Sequence, residues 1–273
     1  MTPMALLAVF CLPIQMFAQQ SVPELKFHAQ TDFFKLPPEL YFGEASGVAV
    51  NSKGHVFAFS RGGTTGPAYG AAAAQLLEFD ADGKYIREIG HNLYAWSFAH
   101  AVKVDRDDNL WVADKGSDMI IKFNPEGRIL MVFGRSQEAS DEGTGPLKHV
   151  KPPLPPIDGE FRQVTDMAWD AAGNTYISDG YINSRIAKID KEGNWIKSWG
   201  EPGTGSGQFN TPHSIATDDT GNGKRVCGRP RQWAHSGFRW RRQVPARDSY
   251  QRALRPQHSS MDGEYAIRNS VHR

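Results

Sequence analysis

The chain has 273 residues, of which 40% are hydrophobic and 22% charged, and its mean hydropathy is −0.50. This composition is that of a soluble globular protein and excludes the collagenous, disordered and membrane-embedded classes. Residues 223–273 hold 12 Lys and Arg against 3 acids, so the body of the chain, residues 1–222, carries a net negative charge. A negative body lacks the clustered cations that phosphate binding needs, so we expect no nucleic-acid partner.

An apolar run from Met4 to Phe17 opens the chain and is followed by polar sequence. Because the run is too short to span a bilayer, residues 1–20 are predicted to be a secretory signal peptide. The protein is therefore expected to be secreted or periplasmic, with no membrane contact beyond this export signal. Cys11 would leave with the leader and Cys227 lies near the end, so no disulfide is predicted in the body.

Four segments then share one register: SGVAVNSKGHVFAFSRG (46–62), HAVKVDRDDNLWVADKG (100–116), TDMAWDAAGNTYISDGY (165–181) and HSIATDDTGN (213–222). In the first, Val48 stands three residues before Asn51, and Gly54 follows three residues later as the turn of a hairpin. Further alternating segments such as IIKFNPEGRILMVFG supply a third and a fourth strand. Each repeat is thus predicted to form four short antiparallel strands.

Four-stranded units that recur every ~40–50 residues are typical of propeller blades. We therefore predict an all-β fold, with a partial β-propeller of about three and a half blades over residues 21–222. Two Gly- and Pro-rich inserts, 62–74 and 136–160, are predicted to be loops at the blade rims.

The fourth repeat stops at Asn222, where the sequence becomes Arg-rich and aperiodic. Codons can be chosen for Lys224 to Asp248 that, when read one base later, spell NVYVADRGNGRIQVFDGDGKFLRE, which continues the repeat. We therefore interpret residues 223–273 as an out-of-frame tail, disordered or irregular, and call the version read in the shifted frame the frame-corrected chain. The alternative is a genuine basic tail that binds a membrane or nucleic acid.

Two histidines occupy the same register position, because His100 and His213 each stand two residues before the apolar landmark of their repeat. The innermost strands of a propeller line its central channel, so these side chains are expected to converge. A single histidine in such a place is usually structural, but two favour a metal site. Catalytic zinc takes three protein ligands, and the third would come from a later blade.

Two further residues are candidates for chemistry. Tyr181, in the segment SDGYINSRI (178–186), is a candidate general base if a cation or metal lowers its pKa; the alternative is that it only packs and that Arg185 makes a structural ion pair. Arg61 is either a rim cation or an anion clamp.

The segment 164–216, with DGYINSRI followed by WG, GQF and PHS, resembles the peptidyl-α-hydroxyglycine α-amidating lyase branch of the six-bladed NHL-repeat propellers. Weaker matches at FSRGG, FAHAV, LWVAD and ILMVFGRS extend the resemblance over about residues 40–222.

This resemblance implies a zinc ion held on the propeller axis by three histidines, two of which correspond to His100 and His213. It implies that Tyr181 is the catalytic tyrosine and Arg61 an arginine of the site. It also implies a structural calcium ion bound by backbone carbonyls at positions that match Val48 and Val102. The family's third histidine, its calcium-binding aspartate and a second arginine belong to later blades, so the chain as written is expected to be inactive or poorly folded.

The reaction implied is cleavage of the C–N bond of a peptidyl-α-hydroxyglycine, or of a small α-hydroxy amide, to an amide plus glyoxylate. The expected partner is thus a small-molecule or peptide substrate, and we expect a monomer. One alternative is a non-catalytic secreted NHL propeller that binds a protein or a glycan. Another is a lactonase-like hydrolase, for which no cluster of acidic metal ligands is evident in the sequence.

Overall fold

The computed structural model describes residues 27–62, 74–136 and 149–217, together with the backbone of Arg225–Gly228. The chain divides into two units. One comprises Met1–Thr31 and Met261–Arg273, of which only residues 27–31 are described, and these form neither helix nor strand. The other, Asp32–Ser260, holds every strand that the structure describes. The predicted signal peptide lies outside the described residues, as does most of the predicted tail.

Three antiparallel sheets of four strands follow one another, and each keeps its strands in chain order. The first contains β1 (Ala45–Val50), β2 (Val56–Ser60), β3 (Gln75–Phe79) and β4 (Tyr85–Ile89). The second contains β5 (Ala99–Val104), β6 (Leu110–Asp114), β7 (Met119–Phe123) and β8 (Ile129–Phe133). The third contains β9 (Asp166–Trp169), β10 (Thr175–Asp179), β11 (Arg185–Ile189) and β12 (Trp195–Trp199). A two-stranded sheet pairs β13 (Ser214–Thr217) with β14 (Arg225–Gly228).

The predicted all-β propeller is therefore confirmed, with three blades of four strands and a fourth sheet of two. Across the ranges given above, all the regular secondary structure is strand. A helix long and apolar enough to cross a membrane is accordingly not found in that part of the chain.

One segment differs from the expectation of an irregular tail from residue 223 onwards. The backbone of β14 pairs antiparallel with β13, from Ser214 opposite Gly228 to Thr217 opposite Arg225. The physical reason is that β13 opens a new sheet, and the open edge of a strand is a template for the next extended segment.

Asx turns close hairpins within the blades, both between the first two strands and between the last two. The Asp105 carboxylate accepts hydrogen bonds from the backbone N–H groups of Asp107, at 3.0 Å, and Asn109, at 2.9 Å, and so reverses the chain between β5 and β6. The same pair of bonds recurs at Asn51, Asp80, Asp170 and Asp190. The repeated Asn or Asp of the sequence is thus the residue that closes the hairpin.

The hydrophobic core lies between neighbouring blades. One buried cluster joins the first and second blades, through side chains that include Phe59, Leu76, Val112 and Ile121. A second cluster joins the second and third blades, through Ile120, Met167 and Ile177 among others. Since apolar burial is the main favourable term in folding, each blade depends on its neighbour for stability.

The first strands of successive blades lie side by side, β1 beside β5, β5 beside β9, and β9 beside β13. A Cβ added at Gly47 would stand 2.9 Å from the backbone nitrogen of Val102, so β1 and β5 approach at a distance that only glycine allows.

Lys103 links three of these inner strands. Its Nζ lies 2.8 Å from Asp166 Oδ2, 2.8 Å from the carbonyl oxygen of Met167 and 3.1 Å from that of Ile215. One ammonium on β5 therefore donates to both β9 and β13, beside the candidate site.

Candidate functional site

The two histidines of the shared register lie next to each other. His100 is in β5, and His213 directly precedes β13. Their ring centroids are 4.7 Å apart. His100 is buried and His213 is half-buried. Two imidazoles from different blades are thus brought together near the inner strands.

Tyr181, in the turn after β10, joins this pair. Its hydroxyl lies 2.8 Å from Nε2 of His213 and 3.3 Å from Nε2 of His100. Both Nε2 atoms therefore face one phenolic oxygen. We call His100, His213 and Tyr181 the His–Tyr cluster.

Thr165 fixes the orientation of His100. Nδ1 of His100 lies 2.7 Å from the carbonyl oxygen of Thr165 and donates its proton there, so Nε2 presents its lone pair to the cluster. The Thr165 hydroxyl in turn donates to the carbonyl oxygen of Pro212, at 2.8 Å, the residue before His213. Sequence reasoning missed Thr165, because its position two residues before Met167 matches the register histidines but its residue type suggests no ligand.

Burial sets the charge state of His100. Burial is the largest cause that lowers the pKa of His100, to about 3; the neighbouring His213 lowers it further, and the Thr165 carbonyl partly opposes both. His100 is therefore neutral at pH 7, and neutral imidazole is the form that binds a metal ion.

Arg61 directly follows β2 and is anchored beside His100. Its Nε donates to the carbonyl oxygen of Ala99, at 2.9 Å, and its NH1 pairs with Glu44. Its Cζ lies 3.9 Å from the ring centroid of Phe98. Arg61 therefore packs against the segment that leads into β5.

Lys115 is a site residue that sequence reasoning did not single out. Its Nζ lies 4.1 Å from the ring centroid of Tyr181 and 4.9 Å from that of Phe98. The repeat register could have identified Lys115, because it directly follows the second strand of its blade, as Arg61 directly follows β2.

The two calcium candidates, Val48 and Val102, occupy equivalent places in the neighbouring strands β1 and β5. Val48 is opposite Ala58 on β2, and Val102 is opposite Val112 on β6. The Val48 side chain is exposed and that of Val102 is buried.

Arg185 lies in the blade core, where its Nε is 3.1 Å from Asp179 Oδ2 in a buried ion pair. Among the residues that the structure describes, no group of three or more His, Cys, Asp and Glu side chains is placed to hold a metal ion. The candidate zinc set within those residues is therefore the pair of imidazoles.

Comparison with known proteins gives relatives of two kinds, amidating enzymes and NHL repeat-containing proteins. The peptidylglycine alpha-amidating monooxygenase of Rattus norvegicus is 29% identical over 217 residues, which cover 71% of this chain and 20% of that protein. The probable peptidyl-alpha-hydroxyglycine alpha-amidating lyase of Caenorhabditis elegans is 28% identical and covers 71% of this chain and 55% of that protein. NHL repeat-containing protein 3 of Mus musculus is 28% identical over 197 residues, which cover 67% of this chain and 49% of that protein.

No protein-family model matches the chain. The chain spans about a fifth of the length of the monooxygenase and about half that of the other two relatives. The resemblance to NHL-repeat propellers and amidating lyases is nevertheless confirmed by these relatives.

Proposed function

We propose that the His–Tyr cluster and Arg61 form the site of a zinc-dependent lyase. The reaction is cleavage of the C–N bond of a peptidyl-α-hydroxyglycine, or a small α-hydroxy amide, to an amide and glyoxylate. Amidating lyases among the relatives support the reaction class. The observation that carries the proposal is the phenolic oxygen of Tyr181 within hydrogen-bonding distance of Nε2 of both imidazoles.

The donor set fits zinc in part. Imidazole nitrogens suit Zn²⁺, and the Thr165 carbonyl orients His100 as the outer hydrogen-bond partner of a metal ligand does. His100 and His213 would hold the ion, with a third histidine expected in a later blade. When bound there, zinc would lower the pKa of the substrate hydroxyl. A structural calcium ion at the carbonyls of Val48 and Val102, which occupy equivalent places in β1 and β5, is part of the same proposal.

The protein's own residues supply the proton transfer. Tyr181 Oη takes the proton of the carbinol hydroxyl while the C–O single bond becomes the C=O double bond of the glyoxylate aldehyde. The C–N bonding pair goes to the amide nitrogen, which receives that proton from Tyr181. Arg61 stabilises the negative charge that develops. The atoms balance without water, so the reaction is an elimination.

The chain as written is proposed to be inactive, because the part of the chain that the structure describes offers two imidazoles toward the three-ligand set of a catalytic zinc site. We also propose that the protein is exported by residues 1–20 and acts as a monomer on a small-molecule or peptide substrate.

Metal analysis and glyoxylate release from N-benzoyl-α-hydroxyglycine test the proposal. The frame-corrected chain is expected to hold about one zinc per molecule and to release glyoxylate. A folded frame-corrected chain without metal would instead support the non-catalytic binding protein. Robust zinc-dependent turnover by the 273-residue chain would refute the inactivity.

A further inference from the structure

Three positions share one register at the rim of the first three blades. Arg61 follows β2, Lys115 follows β6 and Gly180 follows β10, each directly after the last residue of its strand. Residues in one register of successive blades lie at the same end of the blades. The first and second blades thus present a cation at this rim, and the third presents Tyr181, one residue after its glycine.

The two cations share an aromatic neighbour. Arg61 Cζ lies 3.9 Å and Lys115 Nζ 4.9 Å from the ring centroid of Phe98. Lys115 Nζ also lies 4.1 Å from the ring centroid of Tyr181. Lys115 therefore contacts both the ring on which Arg61 packs and the ring of Tyr181.

A buried carboxylate holds the backbone of Lys115 against Phe98. Asp114 accepts hydrogen bonds from Phe98 N and Gly116 N, each at 2.9 Å, and from Ser97 N at the same distance. Lys115 N donates to the carbonyl oxygen of Phe98, also at 2.9 Å. A Cβ at Gly116 would stand 2.9 Å from Phe98 N, so this segment is close-packed. The ammonium is therefore carried on a fixed stretch of backbone.

The charges near Lys115 favour an anion. Burial is the largest cause that lowers the pKa of Lys115, Arg61 lowers it next, and Asp118 opposes with the smallest effect. The positive charge of Arg61 thus outweighs the negative charge of Asp118 at this ammonium. Asp118 itself accepts from Gln163 N and lies 3.3 Å from Nε2 of His149. The two cations repel each other although Arg61 also pairs with Glu44, and a bound anion would offset the remaining repulsion.

We propose that Lys115 and Arg61 together bind the carboxylate of the substrate, and that Lys115 makes the site specific for a free carboxylate. In an α-hydroxyglycine the carboxylate is bonded to the carbon that carries the hydroxyl. A carboxylate held by Lys115 therefore brings that hydroxyl to Tyr181. The assignment of this anion as substrate rests on the proposed function.

A binding experiment on the 273-residue chain tests this without turnover. The probes are N-benzoylglycine and its neutral counterpart N-benzoylglycinamide, measured by isothermal titration calorimetry. Charge-assisted hydrogen bonds are strong enough that we expect the acid to bind about 10-fold or more tightly than the amide. This preference should fall as ionic strength rises. Equal affinity for acid and amide in the unmodified chain would overturn the inference.

Three variants test whether the preference for the acid over the amide depends on Lys115. Lys115→Met is expected to bring the acid and amide affinities within about 2-fold of each other, while Lys115→Arg keeps the preference for the acid. Lys188→Met is the matched control, because Lys188 Nζ lies 5.4 Å from the ring centroid of Tyr176 in the third blade, near Asp170. A preference that survives in Lys115→Met, or an equal loss for both probes in that variant, would contradict the assignment. If Lys115→Met does not fold, the salt dependence of the unmodified chain decides.

The result that would reject this inference differs from the result that would reject the proposed function. A carboxylate preference that depends on Lys115, with no glyoxylate release from the frame-corrected chain, would reject the lyase and keep the anion site. Unchanged KM for the hydroxy acid in a frame-corrected Lys115→Met variant would reject the role of Lys115 and keep the lyase.

Discussion

Gly180 and Pro212 meet so closely that a Cβ at position 180 would overlap the carbonyl oxygen of Pro212. Tyr181 follows the first of these residues and His213 the second. The contact between the two backbones therefore sets the distance between the phenol and the imidazole, and the absence of a side chain at position 180 is a requirement of the site.

Gly180→Ala is expected to separate Tyr181 from His213. Overpacking of this kind costs about 1–3 kcal/mol, which denaturant unfolding measures. Gly205→Ala is the control, because the nearest atom to an added Cβ there is the flexible end of Gln208, at 3.0 Å. Similar unfolding free energies for the two variants would show that the close approach is not required.

Tyr181→Phe tests the proton transfer. In the frame-corrected chain we expect glyoxylate release to fall by about 100-fold or more, because general acid–base groups contribute on this scale. Tyr176→Phe is the matched control, since the Tyr176 hydroxyl donates to Asp170 at 2.8 Å within the blade. That variant should lose stability, by about 1 kcal/mol, and keep its activity. Full activity in Tyr181→Phe would remove the phenol from the mechanism.

His100→Ala tests the metal. The frame-corrected variant is expected to lose its bound zinc, as measured by elemental analysis after dialysis. His91→Ala should keep the zinc, because His91 is exposed and pairs with Glu88 at 2.9 Å. Retention of stoichiometric zinc in the His100 variant would mean that the ion is held elsewhere.

Asp179 predicts a pH dependence of stability. Burial raises the pKa of this carboxyl from 3.8 to about 6, against the opposing effects of Asn183, Arg185 and the Arg162 N–H. The folded state therefore binds the proton more tightly than the unfolded state does. The contribution of this group to the unfolding free energy is largest below pH 4, falls as pH rises to 6, and is constant above.

Denaturant unfolding from pH 4 to pH 7 checks this sign. Relative to Asp179→Asn, the unmodified chain should gain stability as pH falls from 6 to 4, by about 1.4 kcal/mol per unit of pKa difference. Asn at position 179 does not titrate in this range, so the stability curve of the variant is the reference. Parallel stability curves would contradict the raised pKa.

The blade architecture was predictable because its determinants are local. The Asn or Asp that closes each hairpin bonds to backbone groups two and four residues later, as at Asp105, and this leaves a fixed spacing in the sequence. The shared register of the repeats likewise identified His100 and His213 as a pair. The contacts of Lys115 with Phe98 and Tyr181 were not predictable, because they depend on how neighbouring blades pack and on a buried carboxylate, Asp114. Burial of a charge leaves no periodic signal in a sequence.

The ammonium of Lys103 holds β9 and β13 to β5 through two strand carbonyls and the Asp166 carboxylate. Neutralising that one nitrogen, by acetylation for example, would replace an ionic tie between three blades with a weaker amide contact. The register of the strand that holds His100 and of the strand that follows His213 thus depends on a lysine that takes no part in the proposed reaction.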